Sequence, residues 1–302
     1  MLRARSRRGR TVLLLFAVGT LLLAAPAYWA RRAYRIERAS FIPRRHPPRV
    51  SLAEVGIESA REVTFQAGPG LKLKGYYVPS RNGAALAVTH GAGGERSDVL
   101  SELRILAGAG FGVLAFDWPG HGESEGDIVW GAPERSALVA ALDFLCAQPE
   151  VDRSRLGAFG FSMGGYIVTQ VAALDTRLRA VAMAGSPHDA KEHIMWEYRR
   201  FRVLTQWPAL LAVRVSGMQV SEMVPEQVIG KISPRPILLI QGTEDQLVPS
   251  WITERLYAAA GEPKRLLRVH GAAHGGYDQA DPAGYARALL EFFSVLSAAA
   301  AP

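Results

Sequence analysis

Ser162 stands among glycines in GFSMGG, positions 160 to 165, directly after the apolar run Leu156 to Phe161. A serine hydroxyl is a poor nucleophile at neutral pH, so it needs an imidazole to take its proton and a carboxylate to orient that imidazole. Both residue types follow later in the chain, each just beyond an apolar run. PILLIQGTEDQLVP places Asp245 four residues after Gln241, and LLRVHGAAHGG places His274 in a glycine-rich stretch after Val269. Glu244 and His270 are their nearest rivals. The Gly-x-x-Asp spacing followed by Val-Pro favours Asp245, and the reach of a glycine-rich loop favours His274, leaving His270 a structural place at the end of the run. Asp278 and Asp281 read as helix caps or reserve carboxylates. The chemistry such a set serves is acyl transfer, which also needs N–H donors for the developing oxyanion. THGAGGE, positions 89 to 95, follows the apolar run Ala84 to Val88, and its glycines let backbone N–H groups face a site. The oxyanion hole is assigned to the N–H of Ala92 and of Met163, the residue after the serine.

These residues are useful only if strands and helices hold them together. Ser162 closes an expected strand and opens an expected helix, and the small residues around it, Gly160, Gly164 and Gly165, suit a tight, strained turn. Short apolar runs alternate with helical patterns along the chain. Strands are expected at Leu71 to Val78, Ala84 to Thr89, Val113 to Asp117, Leu156 to Phe161, Ala180 to Ala184, Ile237 to Gln241 and Leu266 to Val269. Helices are expected at Leu100 to Ala109, Pro133 to Gln148, from Met163, and at Pro282 to Leu296. Fully apolar strands alternating with helices imply an α/β domain whose mostly parallel sheet is covered on both faces. The stretch 186–234 breaks this rhythm. It interleaves Trp196, Tyr198, Phe201 and Trp207 with Arg199, Arg200 and Arg202, and reads as a small helical cap over the site. Its aromatics are expected to line an acyl pocket, touch a bilayer or pack the cap. His188 and His193 read as surface histidines of that cap. DWPGHGESEG, positions 117 to 126, reads as a structural turn beneath the site, and Cys146 as a small hydrophobe on an apolar helix face.

Charge divides the chain. The formal net charge of +7 hides +11 on residues 1–49, with twelve arginines and Glu37, and −4 on the remainder, with 23 basic and 27 acidic residues. The basic balance therefore belongs to the N-terminal segment, and nucleic-acid binding by the domain loses its electrostatic support. Residues 1–10 form a basic tail. Residues 11–30 carry no charged side chain and as a helix would span about 30 Å, a bilayer core, with Tyr28 and Trp29 at the interface. Residues 31–50 read as a basic, proline-rich linker, and 51–302 as the domain. Ala25-Pro26-Ala27 could serve as a signal-peptide cleavage site, but Arg31, Arg32, Arg35 and Arg38 follow at once, which favours an uncleaved anchor. The arginines of the tail favour a cytoplasmic N-terminus and an extracytoplasmic domain.

In this order, HGAGG, DWPGHGES, GFSMGG, GTEDQLVP and the late His274 resemble the α/β-hydrolase superfamily over nearly all of residues 60–297. Within it the chain looks like the N-terminally membrane-anchored bacterial serine hydrolases of the serine-aminopeptidase or lysophospholipase-like branch. The resemblance implies an eight-stranded sheet with one antiparallel strand and hydrolysis through an acyl-enzyme. It carries over Ser162 as nucleophile, Asp245 as acid and His274 as base. The expected substrate is a small-molecule or lipid-like ester or thioester. The expected partner is a lipid bilayer, through residues 11–30. Neither a metal nor an organic cofactor is expected, nor a nucleic acid. The rival readings are an aminopeptidase or amidase on the same triad, and a silent anchored domain that binds a partner through its cap.

Overall fold

Eight strands, β1 (Arg61–Gln66), β2 (Lys72–Val78), β3 (Ala85–Thr89), β4 (Gly112–Phe116), β5 (Leu156–Phe161), β6 (Leu178–Ala184), β7 (Ile237–Gly242) and β8 (Lys264–Val269), form one sheet in the order β1-β2-β4-β3-β5-β6-β7-β8. The structure is a computed structural model that describes residues 7–41, 45–199, 202–220 and 222–297. Only β2 runs against its neighbours β1 and β4; every other pairing, from β4 through β8, is parallel. Parallel strands need crossovers, and these are supplied by α3 (Leu100–Gly108), α4 (Ala132–Cys146), α5 (Met163–Ala172) and α9 (Ser250–Ala259), with α11 (Pro282–Phe293) closing the chain.

The two faces of the sheet carry separate cores. On one, Leu114, Phe116 and Leu156 pack with Leu138 and Leu142 of α4 and Ile167 of α5. On the other, Val88, Val113 and Phe159 pack with Leu103 and Leu106 of α3 and Leu289 and Phe293 of α11. Successive residues of a strand face opposite ways, so strands covered on both faces read as unbroken apolar runs. β1 was not among the runs expected to be strands. It is an edge strand covered on one side, and of its six residues only Phe65 is buried, so REVTFQ carries little apolar signal.

Between β6 and β7 the chain forms α6 (Ala190–Glu197), α7 (Val203–Val215) and the short α8 (Pro225–Val228), followed by a 3-10 turn. Tyr166 and Gln170 of α5 donate to the carbonyls of Val220 and Met223, which fastens the end of this segment to the domain. The remaining short helices are α2 (Leu52–Val55) and α10 (Tyr277–Ala280). At the N-terminus, α1 (Arg7–Phe41) runs on past the apolar stretch through Arg31, Arg32, Arg35 and Arg38, where a linker was expected to begin. It contains the 19-residue apolar span Thr11–Trp29, none of which is buried. Arg3, Arg5, Arg200 and Phe201 lie outside the described residues.

Candidate active site

Ser162 has φ 53° and ψ −116°, a conformation L-residues rarely adopt. The strain is held from both sides. Its N–H donates to Ala184 O of β6 at 2.8 Å, and its carbonyl accepts from Tyr166 N–H in the first turn of α5 at 3.1 Å. The glycines around it are there for space. A Cβ on Gly160 would lie 2.4 Å from the Gly164 carbonyl carbon, and one on Gly164 would lie 2.6 Å from Thr89 Oγ1. Strand and helix therefore approach closely enough to lift the serine out of the end of β5.

The loop after β8 brings His274 to this turn, with Nε2 3.0 Å from Ser162 Oγ. Its Nδ1 lies 2.8 Å from Oδ2 of Asp245, on the loop after β7. The carboxylate is buried, and its other oxygen accepts from the N–H of Leu247 at 2.9 Å and of Val248 at 2.7 Å. Gln241 braces the same loop by donating to Val248 O, and Thr253 of α9 donates to Gln241. The acid and histidine loops are also joined to each other, through Glu244 N–H to Ala272 O and Gly271 N–H to Thr243 Oγ1. The rivals stand apart, since the Glu244 and His270 side chains are exposed. Asp281 caps α11 by accepting from Gly284 N–H. A hydroxyl, an imidazole and an anchored carboxylate in this order can pass a proton from oxygen to nitrogen and hold the resulting positive charge.

The loop after β3 passes over the serine, and a Cβ on Gly91 would lie 3.0 Å from Ser162 Cβ. Among the described residues, the N–H groups of Ala92 and Met163 donate to no protein acceptor. Two buried histidines shape this loop. Gly93 N–H donates to His121 Nε2, and Trp118 N–H donates to His90 Nε2, while Trp118 Nε1–H donates to His90 O. Burial pushes the His121 pKa down to about 4, and burial together with the His121 ring lowers His90 well below the usual histidine range. Both rings are thus neutral at neutral pH, with Nδ1–H donating to the Pro119 and Gly91 carbonyls and Nε2 free to accept.

Two features were not legible in the sequence. Arg96 is buried in an ion pair with Asp117 and Glu123, its guanidinium 4.5 Å from the Tyr76 ring centre, and it ties the turn 117–126 beneath the glycine loop. Nothing in its sequence surroundings separates it from a surface arginine. The second is a correction to the reading of His188 and His193 as surface histidines: His188 is 0% exposed and His193 7%. His188 meets Glu192 at 3.0 Å and faces the Trp251 ring, while His193 stacks on Trp196. Burial, then the nearby His274 and His188 rings, push the His193 pKa down to about 4, and its buried Nδ1 has no hydrogen-bond partner among the described residues. These two histidines turn inward, His193 toward His274, while the charged residues Lys191, Glu192, Glu197 and Arg199 of the same segment stay exposed. Trp196 belongs to this inner layer, whereas Trp207 lies outside it.

Comparison with known proteins agrees with this architecture. The sequence matches the prolyl oligopeptidase family over residues 97–298. An uncharacterized protein of Mycobacterium tuberculosis is 30% identical over 231 residues, covering 72% of this chain and 73% of the relative. The uncharacterized protein YfhR of Escherichia coli is 29% identical over 229 residues, covering 72% and 74%. Among solved structures, the Pyrococcus furiosus esterase Pf2001 aligns with a TM-score of 0.70 at 22% identity, over 84% of this chain and 99% of its own, a likeness of fold. A mostly parallel eight-stranded sheet, a strained serine between strand and helix, and a sequence match across most of the domain identify the chain as a member of the prolyl oligopeptidase family of α/β-hydrolases.

Proposed function

We propose that the chain is a membrane-anchored serine hydrolase that cleaves carboxylic esters or thioesters of small or lipid-like acids. The observation that carries this reading is the continuous relay Ser162–His274–Asp245, with the second carboxylate oxygen held by two backbone N–H groups. Ser162 Oγ attacks the acyl carbon as its proton passes to His274 Nε2, and Asp245 steadies the imidazolium. The N–H groups of Ala92 and Met163 receive the oxyanion. As the carbon–oxygen or carbon–sulfur bond breaks, His274 returns the proton to the leaving group. Water then attacks the acyl-enzyme, giving its proton to His274, and the acid departs as Ser162 is reprotonated. In this reading α1 is the uncleaved anchor and the domain lies outside the cytoplasm.

Cleavage of amides or peptides on the same residues is the second reading, favoured by the family match. Recognition of a peptide amino terminus would need a free carboxylate; the cap's Glu192 and Glu226 are paired with Arg255 and His188, which leaves the exposed Glu197 of α6 as the cap acid for that role. The test treats the full chain with a fluorophosphonate beside Ser162→Ala, then compares p-nitrophenyl esters from acetate to palmitate with aminoacyl p-nitroanilides. Labelling that vanishes in Ser162→Ala, with esters turned over well above anilides, is the expected result. A folded wild-type chain that takes no label would sink the hydrolase mechanism, and faster anilide turnover would favour the peptidase reading.

A further inference from the structure

The large apolar side chains left exposed on the described residues are unevenly spread: eleven lie on α1, three on α7, and Leu174, Leu247 and Val295 stand singly elsewhere. On α7 they are Trp207, Leu211 and Val215, 63%, 57% and 71% exposed, recurring every four residues. At about 100° per residue this spacing makes one continuous stripe. Ala209, Ala212 and Val213 on the opposite side of the same helix are buried in the cap. A stripe of this kind facing water would be an association hazard, so it calls for a cover.

The position of α1 indicates what that cover is. α7 packs against α1, while none of the apolar span Thr11–Trp29 is buried by the protein. The stripe on α7 therefore belongs to a helix that touches the same helix as the apolar span. Exposed arginines stand on or next to the same two helices: Arg31, Arg32 and Arg35 follow the span on α1, and Arg199, Arg202 and Arg214 flank or lie on α7, with Glu197 as an exposed acid near the start of α7 in the chain. Apolar side chains with a tryptophan on one side and arginines at the margins are what a helix lying in a bilayer interface requires. We propose that α7 docks into the headgroup layer of the bilayer crossed by α1, its Trp207–Leu211–Val215 face toward the acyl chains and its arginines among lipid phosphates. This rests on reading Thr11–Trp29 as a membrane span. α7 is bonded to α6 through Gln206 to Met195 O and Thr205 to Tyr198 O, and α6 carries His193 beside the histidine of the site. Docking of α7 thus turns the cap toward the membrane, and a lipid-borne acyl ester leaving the bilayer meets the cap first.

The test uses the full chain, with Cys146→Ser, reconstituted in phosphatidylcholine vesicles containing phosphatidylglycerol. Single cysteines are placed at Trp207→Cys, Leu211→Cys, Leu22→Cys, Leu174→Cys and Val295→Cys, each labelled with an environment-sensitive fluorophore, and quenching by nitroxide-bearing lipids is measured. All five positions are exposed, and a melting curve matching the parent checks the fold of each. The expected result is a blue-shifted, strongly quenched label at 207, 211 and 22, and an unquenched label at 174 and 295. A quenched label at 22 with labels at 207 and 211 as unquenched as those at 174 and 295 would overturn the docking while leaving the anchor intact. An unquenched label at 22 would overturn the anchor, and the proposal with it.

Discussion

Ser162 occupies a backbone conformation that costs about 1–3 kcal/mol, and the close approach of β5 to α5 maintains it. The cost is tolerated because glycine at 160 and 164 lets the two elements meet. Gly160→Ala would place a methyl group 2.4 Å from the backbone of Gly164, and backbone cannot swing aside as a side chain can. Gly108, in the last turn of α3, has open space where a Cβ would stand. Gly160→Ala is expected to lose fluorophosphonate labelling by more than about tenfold, since displacement of a reacting group by about 1 Å costs rate on a larger scale. Gly108→Ala should label normally and gain up to about 1 kcal/mol, or about 2–4 °C in Tm. Equal labelling rates in the two variants would show that the close approach does not hold Ser162 in a reactive position. The chemistry-bearing residues were the most legible part of this scale. Ser162, Asp245 and His274 carry local signatures, because a strained turn, an acid loop and a glycine-rich histidine loop each demand particular neighbours. His193 and Arg96 carry none: their burial depends on segments distant in the chain that happen to cover them.

Between elements, the contact of α3 with α11 holds a titratable group. Glu102 is buried on α3 and accepts from the Tyr285 hydroxyl of α11 at 2.6 Å. Burial raises its carboxyl pKa to about 7, against an ordinary value of 4.5. A folded-state pKa raised in this way contributes stability that is complete below about pH 4.5 and is lost as pH rises through about 7. The loss at pH 8 is on the order of 3 kcal/mol, from about 1.4 kcal/mol per unit. Glu102→Gln keeps the acceptor oxygen and removes the charge. Thermal unfolding should find the variant more stable than the parent at pH 8 and close to it at pH 5. A Tm difference of one size and sign at both pH values would rule this group out as the origin of the pH dependence. The same scale explains which strands could be read from the chain. β3, β4 and β5 are covered on both faces and appear as nearly unbroken apolar runs, whereas β1, at the edge, is paired on one side and has only Phe65 buried.

For the whole molecule, the division of charge into +11 on residues 1–49 and −4 on the rest matters more than its sum. Arginines stand on both sides of the span, five ahead of it and seven after it within residues 1–49, and the proposed reading places the domain outside the cytoplasm. A membrane-impermeant fluorophosphonate applied to intact spheroplasts expressing the full chain should therefore label it, and external protease should remove the domain. Labelling that requires permeabilisation would reverse the orientation. The sequence by itself determined the alternation of strands and helices and the apolar span, and it singled out a candidate serine, acid and histidine, because each is written in neighbouring residues whose types the local backbone or solvent dictates. Tertiary structure alone decided which side chains share a space. It drew the cap histidines inward, seated Arg96 beneath the glycine loop and left the Trp207 stripe exposed on α7, a helix that packs against α1, since burial depends on what the rest of the chain lays over a residue.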